Sequence, residues 1–473
     1  MSTSVNNRPC GSDVVTEADP PGSNLSTSVS RDKNETKVKH VSSFCFDARQ
    51  IKPGDCFVAL SGGARDGHDF IEQAAVGGAS VAIVEHVVDV LIPQLVVKDS
   101  LCALGLIGAS ARARFNGSVV GVTGSCGKTS TKEMLRLLLG EGQTHATAGN
   151  FNNRIGVPLT LIGLDSESSN YGVIEAGINQ PNEMQQLGEM IRSDLTIITN
   201  VGPAHLELLE TIENVAIEKA RLAQAASPAS KVVFPSDLLK YPVFAALANR
   251  AIVLHPKGLP KPEVDVDTLL SYTLTQNTQG GSKHELSIGT SSYVVQTPSR
   301  GIATNAALAI AAASHLGVDD PVLQTRIAQW QPASNRGRVF QARGQLFYVD
   351  CYNANPASMT DALAAFIATI PDEEPRAYLL GAMNELGDSA AVQHESVGAQ
   401  LILRPQDRAF FVGPQNLVAA YLAGALDAGN QSDQMKTSET IENIKSDIAQ
   451  FKGALFLKGS RSYQLENLLP EVS

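Results

Sequence analysis

An apolar segment at residues 118–122, the glycine-rich sequence TGSCGKTS and a leucine-rich helix follow one another in this chain. The backbone N–H groups of such a turn, together with the helix N-terminus, can cradle phosphate groups. Lys128 would then meet the β and γ phosphates of ATP, and Thr129 would offer a hydroxyl to Mg²⁺. A strict phosphate-binding loop has glycine where this chain has Val122, so a chance glycine turn before a helix is the alternative. The loop residues predicted to contact nucleotide are Gly124, Ser125, Gly127, Lys128, Thr129 and Ser130.

Strand and helix patterns alternate along most of the remaining chain. Apolar runs at residues 172–174, 195–199, 231–234 and 251–254 are separated by helical stretches. This alternation is typical of a mostly parallel sheet flanked by helices. Shorter alternating segments within residues 271–296, with two glycines between them, predict antiparallel additions to that sheet.

Changes in composition divide the chain into a tail and three domains, which suits a length of 473 residues at about 150 residues per domain. Residues 1–40 hold no Phe, Trp, Tyr or Ile and predict a disordered tail. The turn-rich residues 331–337 predict a linker. We therefore predict an α/β protein with a small α/β domain at residues 41–98, a central phosphate-loop domain with a mostly parallel sheet flanked by helices at residues 99–333, and a Rossmann-like α/β domain at residues 334–473.

Charge and hydropathy exclude several classes of protein. The chain has 37 basic and 48 acidic side chains, and the formal net charge of −11 repels a polyphosphate backbone, so nucleic acid is not an expected partner. No apolar run approaches the roughly 18 residues of a membrane span, and the start lacks the apolar core of a secretory signal. The six cysteines contain no CxxC pair and fit neither a zinc site nor a disulfide framework. We expect a monomer in the reducing cytoplasm, without membrane insertion.

Three single residues are further candidates for the site. Glu175 follows a predicted strand, where its carboxylate would reach a cleft and offer the hard oxygen that Mg²⁺ prefers. The alternative is a solvated carboxylate at a strand end. His205 follows another strand end, although lone histidines are more often structural than ligands. Lys219 lies in a charged helical stretch and by pattern alone is a solvated lysine.

Further motifs occur at residues 46–49 (FDAR), 66–70 (DGHDF), 149–158 (GNFNNRIGVP), 299–308 (SRGIATNAAL) and 350–356 (DCYNANP). Together with TGSCGKTS and a C-terminal KGSRS, they resemble the signatures of the Mur ligase family, and the resemblance covers nearly everything after residue 41. The family form of the phosphate loop also lacks the early glycine. A three-domain α/β architecture is what this resemblance implies.

The chain departs from the family pattern at three places. A serine that usually precedes the arginine of the first motif is Ala48. The His-Asn pair on the adenine side is Gly301-Ile302. The acidic residue of a Gly-Asp-Met pattern is Ala382.

The resemblance implies two Mg²⁺ ions beside the nucleotide. Carried over residue by residue, it gives Thr129, Glu175 and His205 as magnesium ligands. Lys219 becomes the lysine that reacts with CO₂ to form a carbamate, which turns a cation into an anion that can hold the second Mg²⁺.

The same carry-over assigns the remaining site residues. Asn305 would contact adenine, Asp350 the ribose, and Arg338 would reach the phosphates from the third domain. The catalytic group comprises Lys128, Lys219, Arg338 and His205. The residues implied in binding the other substrates are Asp47, Arg49, Asn150, Asn152, Asn153, Tyr352 and Asn355.

The activity implied by the resemblance is amide formation driven by ATP. A carboxylate of UDP-N-acetylmuramoyl-tripeptide attacks the γ-phosphate, and the amine of D-alanyl-D-alanine then attacks the acyl phosphate to give the pentapeptide of peptidoglycan precursor synthesis. Two alternatives stay open at this point. One is a ligase of the same type with a different acceptor, and the other is an ATP-binding protein that has lost catalysis and acts in regulation.

Overall fold

A computed structural model describes residues 41–62, 65–277 and 283–470. The predicted tail and the two glycines at 280 and 281 lie outside these residues. The chain divides into two compact units, one ending at Arg114 and the other beginning at Phe115. Over the described ranges, no helix is both long and apolar enough to cross a bilayer.

The first unit is built on a parallel sheet of four short strands in the order β1-β2-β3-β4. Its strands and helices are Phe44–Cys45 (β1), Cys56–Val58 (β2), Ile71–Val76 (α1), Val81–Val84 (β3), Gln94–Val96 (β4) and Ser100–Arg114 (α2). The sequence-based division at residue 98 assigns α2 to the central domain, whereas the compact unit includes it. The Ser100 amide donates to Glu85 Oε1 at 2.9 Å, which joins the start of α2 to the end of β3.

The second unit begins with a nine-stranded sheet. Its strands are Ser118–Thr123 (β5), Thr144–Ala146 (β6), Tyr171–Glu175 (β7), Leu195–Ile198 (β8), Lys231–Pro235 (β9), Ala251–Pro256 (β10), Thr268–Asn277 (β11), Lys283–Ile288 (β12) and Ser291–Val295 (β13). The order across the sheet is β13-β12-β11-β10-β9-β8-β5-β7-β6. The sheet is parallel from β6 to β11, while β12 and β13 add an antiparallel edge. The first of the segments predicted to be antiparallel lies in β11, which pairs in parallel with β10 and antiparallel only with β12.

Helices cover both faces of this sheet. They are Lys128–Leu139 (α3), Gly156–Ile162 (α4), Glu183–Ile191 (α5), Leu206–Leu209 (α6), Ile212–Gln224 (α7), Pro242–Ala245 (α8), Arg300–His315 (α9) and Asp320–Ile327 (α10). Leucines of α3 and alanines of α9 form one apolar core with β5 and β7, and α5 and α7 form another on the opposite face. Because both faces are covered, the central strands are apolar along their whole length.

A second, six-stranded sheet forms the rest of this unit. Its strands and helices are Arg338–Ala342 (β14), Gln345–Asp350 (β15), Pro356–Thr369 (α11), Arg376–Gly381 (β16), Ala390–Gly398 (α12), Arg408–Val412 (β17), Gln415–Asp427 (α13), Met435–Ser438 (β18), Lys445–Gln450 (α14) and Ala454–Lys458 (β19). The order is β14-β15-β19-β16-β17-β18, parallel except for the β14–β15 hairpin. The architecture is therefore α/β, as the sequence predicts.

The positions of β5, β7 and β8 determine where a site can form. These three strands are neighbours and run parallel, so their carboxyl ends meet at one edge of the sheet. Ligands of open α/β sheets bind in the crevice outside such strand ends. The phosphate loop follows β5, Glu175 ends β7, and the segment leading to His205 follows β8.

Candidate active site

Two glycines give the loop between β5 and α3 its shape. Gly124 has φ +155° and Gly127 has φ +79°, conformations that side chains with a Cβ rarely adopt. A Cβ at Gly124 would lie 1.8 Å from Thr199 Oγ1, and a Cβ at Gly127 would lie 2.2 Å from Asn305 Nδ2. The second close approach shows that Asn305, on α9, packs directly against the loop.

Lys128 is the first residue of α3 and turns back over the loop. Its Nζ donates to the Gly124 carbonyl at 2.8 Å. Burial lowers the pKa of Lys128, and the nearby Glu175 carboxylate acts in the opposite direction. A desolvated ammonium group held beside this loop can bind a phosphate far more strongly than one in bulk water.

Glu175 connects the loop with the Asn-rich motif. Thr129 Oγ1 donates to Glu175 Oε2 at 2.9 Å, and Asn152 Nδ2 donates to Glu175 Oε1 at 2.8 Å. Lys132 Nζ lies 3.8 Å from Oε2. A hydroxyl and a carboxylate side by side, in a cleft beside a phosphate loop, are the hard oxygen donors that Mg²⁺ prefers.

Lys132 is a residue that the sequence reasoning missed. It is fully buried, and its Nζ donates to the carbonyls of Thr147 and Gly149 at 2.7 and 3.0 Å. It thereby holds the backbone that leads into Asn150, Asn152 and Asn153, which line the same cleft. Its position one helical turn after Lys128 is the signal that could have identified it.

The second unit has two halves, one built on the nine-stranded sheet and one on the six-stranded sheet, and His205 faces the six-stranded half. Its Nδ1 lies 2.6 Å from Glu385 Oε2, and burial lowers the pKa of the imidazole. His205 and Glu385 have φ +57° and +65°, so both ends of this pair have an unfavourable backbone conformation. Strain of this kind is concentrated at functional sites.

Lys219 is a buried residue of α7. Burial, reinforced by the charge of Lys128, places the pKa of Lys219 well below its ordinary value. Among the described residues there is no group of three or more His, Cys, Asp and Glu side chains that could hold a metal. The magnesium ligands predicted from the resemblance are a different kind of set, in which Thr129 would contribute a hydroxyl and Lys219 a carbamate.

The six-stranded half supplies the opposite wall of the cleft. Asp350 Oδ2 lies 2.5 Å from Lys458 Nζ, which also donates to the Asn353 carbonyl at 3.2 Å. Asn355 caps α11 and donates from Nδ2 to the Ser125 carbonyl of the phosphate loop at 3.4 Å. These contacts place the DCYNANP motif against the phosphate loop.

The two arginines around Gly337 have different positions. Arg336 lines the cleft, and its guanidinium carbon lies 3.8 Å from the centre of the Tyr352 ring. Arg338, which the resemblance selected, is exposed on β14 with its guanidinium over Phe340, at 5.1 Å. The structure therefore brings Arg336 to the site and leaves Arg338 outside the residues that line it.

Two cavities adjoin at this site: the first is lined by both halves, and the second by residues of the nine-stranded half. One, of about 660 Å³, is lined by the phosphate loop, the asparagines, Glu175, His205 and the DCYNANP motif. The other, of about 690 Å³, is lined by Tyr272, His255 and a proline-rich segment. Asn200, Asp237, Gly301 and Asn305 line both, so the two cavities join into one groove.

In the first unit, Asp47 and Arg49 pair with each other. Arg49 Nε and Nη2 donate to the two oxygens of Asp47 at 2.9 and 2.8 Å, and the carboxylate pKa is lowered to about 2 by that contact. Arg49 is 77% exposed, so its guanidinium is accessible to an anionic ligand.

The fold and the site define a nucleotide-binding α/β enzyme with a phosphate loop and a second α/β half that covers it. Three family models match the chain: the Mur ligase family catalytic domain at residues 40–116, the Mur ligase middle domain at 122–313, and the Mur ligase glutamate ligase domain at 335–461. The chain belongs to the Mur ligase family.

Individual relatives and solved structures agree with this assignment. The UDP-N-acetylmuramoyl-tripeptide–D-alanyl-D-alanine ligase of Escherichia coli (strain K12) is 32% identical over 430 residues, covering 89% of this chain and 92% of that protein. A crystal structure of MurF from Acinetobacter baumannii has a TM-score of 0.77 at 29% identity, covering 90% of this chain and 92% of that one. MurF from Thermotoga maritima in complex with ADP has a TM-score of 0.75 at 25% identity, covering 91% and 96%.

Proposed function

We propose that this chain is the ATP-dependent ligase that joins D-alanyl-D-alanine to UDP-N-acetylmuramoyl-tripeptide, giving the pentapeptide precursor of peptidoglycan, ADP and phosphate. The observation that carries the proposal is the single groove in which the Lys128 loop faces Asp350 and Arg336 of the other half. Relatives 30–32% identical over at least 83% of this chain carry the name of this activity.

The groove can hold ATP along its length. The triphosphate lies on the loop N–H groups and Lys128, the ribose near Asp350, and the base beyond Asn305 in the second cavity. Asn305 is 6% exposed and packs on Gly127, so it fixes the distance between the base pocket and the loop.

The chemical difficulty is the approach of two anions. The tripeptide carboxylate must reach the γ-phosphate, and the acyl phosphate that forms must then meet an uncharged amine. Lys128 and Arg336 lie on opposite walls of the groove and offset the developing negative charge. Each wall comes from a different sheet, so the site is complete only when both halves meet.

The residues present fit the magnesium that this chemistry requires. Thr129 and Glu175 offer adjacent hard oxygens, with His205 and a carbamate on Lys219 completing the proposed set. Bound Mg²⁺ would neutralise phosphate charge and polarise the γ-phosphoryl group.

Carbamylation of Lys219 requires a neutral amine, because only the free base attacks CO₂. Burial lowers the pKa of Lys219 and so raises the neutral fraction near pH 7. We expect protein equilibrated with ¹³C-labelled bicarbonate to show a carbamate ¹³C NMR signal that Lys219→Ala lacks. A signal of equal intensity in Lys219→Ala would contradict the assignment.

Contacts between the halves exclude water from the acyl phosphate, which water would otherwise hydrolyse. His205 pairs with Glu385, and the Glu207 amide donates to the Glu385 carbonyl at 3.3 Å. Asn355 reaches the phosphate loop from the same side. We infer that these contacts form the closed state in which the reaction proceeds.

The remaining assignments belong to the same proposal. Residues 41–98 bind the uridine nucleotide, with Asp47 and Arg49 in contact with it, and residues 99–333 and 334–473 supply the two walls of the ATP groove. Asn150, Asn152, Asn153, Tyr352 and Asn355 contact the peptide substrates. We place the reaction in the cytoplasm, where ATP is available.

The decisive experiment measures phosphate release from Mg-ATP by the purified protein. UDP-N-acetylmuramoyl-tripeptide and D-alanyl-D-alanine are added singly and together, and the product mass is determined. Release that needs both substrates and yields the pentapeptide is the expected result. Turnover with a single amino acid in place of the dipeptide would indicate a different acceptor, and ATP binding without release in any mixture would indicate a protein that has lost catalysis.

A further inference from the structure

The start of α9 is held by a carboxylate from the other half of the molecule. Asp361, on α11, accepts the Gly301 backbone N–H at Oδ1 (2.8 Å) and the Ser299 hydroxyl at Oδ2 (2.5 Å). Ser299 is itself the N-cap of α9, since its Oγ accepts the Ile302 N–H at 2.9 Å. Helix α9 packs on the nine-stranded sheet and α11 on the six-stranded sheet, so these bonds cross the nucleotide groove.

The same position is where the chain departs from the family pattern. A His-Asn pair is replaced here by Gly301-Ile302. A Cβ placed on Gly301 would lie 3.0 Å from Asp361 Oδ2 and 3.1 Å from its Cγ. A side chain at residue 301 would therefore force the carboxylate to move by a few tenths of an ångström and disturb both hydrogen bonds, whereas glycine leaves the carboxylate in place.

Asp361 also belongs to the groove itself. It lines the same cavity as Ser299, Gly301 and Asn305, the last of which packs on the phosphate loop. A carboxylate that fixes the first turn of α9 fixes Asn305, one turn further along the same helix. The positive end of the helix dipole and two donors make this a favourable place for an anion.

We propose that Asp361 is a positioning residue that latches the two halves across the ATP groove, and that glycine at residue 301 is what admits the latch. The proposal rests on the proposed function only in requiring that the groove binds ATP. Closure then favours ATP because the nucleotide binds best when both walls are in place.

The test is a cycle of variants, Asp361→Ala, Gly301→Ala and the double variant, with the exposed neighbour Thr360→Ala as the matched control. ATP affinity is measured by calorimetry with Mg-ATP and no acceptor, so it does not depend on ligase activity. We expect Asp361→Ala to weaken ATP binding about tenfold, which is the factor that 1.4 kcal/mol represents. Gly301→Ala should weaken it similarly, and the double variant should be no weaker than Asp361→Ala alone, since the clash disappears with the carboxylate.

Hydrogen exchange distinguishes the loss of this contact from a general loss of stability. In the protein without nucleotide, Asp361→Ala should speed exchange at the Gly301 amide while the rest of α9 keeps its protection. The latch is wrong if Asp361→Ala binds ATP within twofold of the parent protein with unchanged exchange at Gly301, or if the effects of Gly301→Ala and Asp361→Ala simply add. If Asp361→Ala does not fold, Asp361→Asn replaces it, since it keeps the volume and one acceptor. Absence of ATP binding in the parent protein would instead refute the proposed function.

Discussion

Lys128 and the residues around it carry the charge on which the proposed reaction depends. Lys128→Ala removes the only side-chain cation that the described part of the phosphate loop, residues 123–130, directs at phosphate, so we expect turnover to fall by about 10³-fold or more. Folding should be preserved, because the ammonium group is desolvated and contributes little to stability. Phosphate release and thermal unfolding measure the two effects, with the exposed Lys257→Ala as control. A folded Lys128→Ala with parental turnover would refute the phosphate role.

Lys219 contributes to function at the expense of stability. The folded protein holds this amine with a lowered pKa, so below the ordinary lysine pKa the unfolded chain binds the proton more readily. Lys219→Met should therefore raise the free energy of unfolding, on the order of 1–4 kcal/mol as for other buried charges replaced by apolar groups. The gain should be largest at low pH and shrink as pH rises towards the ordinary lysine value. Urea unfolding at pH 6 and pH 9.5 tests the sign, and a gain that grows with pH would contradict it.

Sequence reasoning reaches some of these residues and not others for a physical reason. Thr129 and Glu175 follow from the rule that strand ends and the loop after a strand meet at one edge of a parallel sheet, and the structure brings them within 2.9 Å. This rule cannot tell which of Arg336 and Arg338 enters the groove. Gly337, at φ +76°, turns the chain between them, and only that turn decides which guanidinium enters the groove.

At the scale of elements, the apolar strands are predictable and the polar edges are not. The buried strands β5, β8 and β9 stand out as runs of Val and Ile, covered on both faces. No continuous apolar run marks β14 or β18, whose side chains are mostly exposed or half-buried and include Arg338 and Lys436. Both lie at the ends of the six-stranded sheet, where one face and one edge meet solvent and no apolar run is needed.

The pairing of β15 with β19 yields a prediction about stability. Lys458, at 1% exposure, neutralises Asp350 across this pair, and burial otherwise raises the pKa of that carboxyl. Lys458→Met leaves the carboxylate uncompensated and should cost about 3–5 kcal/mol. Lys436→Met, which breaks the exposed ion pair between Lys436 on β18 and Asp447 on α14, should cost only about 0–1 kcal/mol. Equal losses in chemical denaturation would show that the Asp350 pair is not buried in solution.

At the scale of the whole molecule, the order of strands is what the sequence leaves open. Alternating strands and helices predict two parallel-rich sheets, but β19 inserts between β15 and β16, and β8 lies beside β5 rather than β7. These neighbours are distant in the chain, and the pairing depends on the shape of both partners. Local propensity and period carry no information about it.

A shortened chain tests this topology. Ending the chain at Gly453 removes β19 and leaves β15 and β16 without their shared neighbour. We expect loss of the cooperative unfolding of the six-stranded half and loss of ATP affinity, with the four-stranded first unit still resistant to protease. Retention of full ATP binding by this chain would show that the groove does not depend on the insertion of β19.

The insertion of β19 also determines how late in translation the six-stranded sheet can be completed. Lys458 is translated 108 residues after its partner Asp350, an interval of roughly 5–20 s at about 5–20 residues per second. From the synthesis of β16 until that of β19, the edges of β15 and β16 that face each other have no strand between them. We therefore expect no nascent form of this protein to bind ATP before β19 emerges, and this delay follows from the position of one five-residue strand.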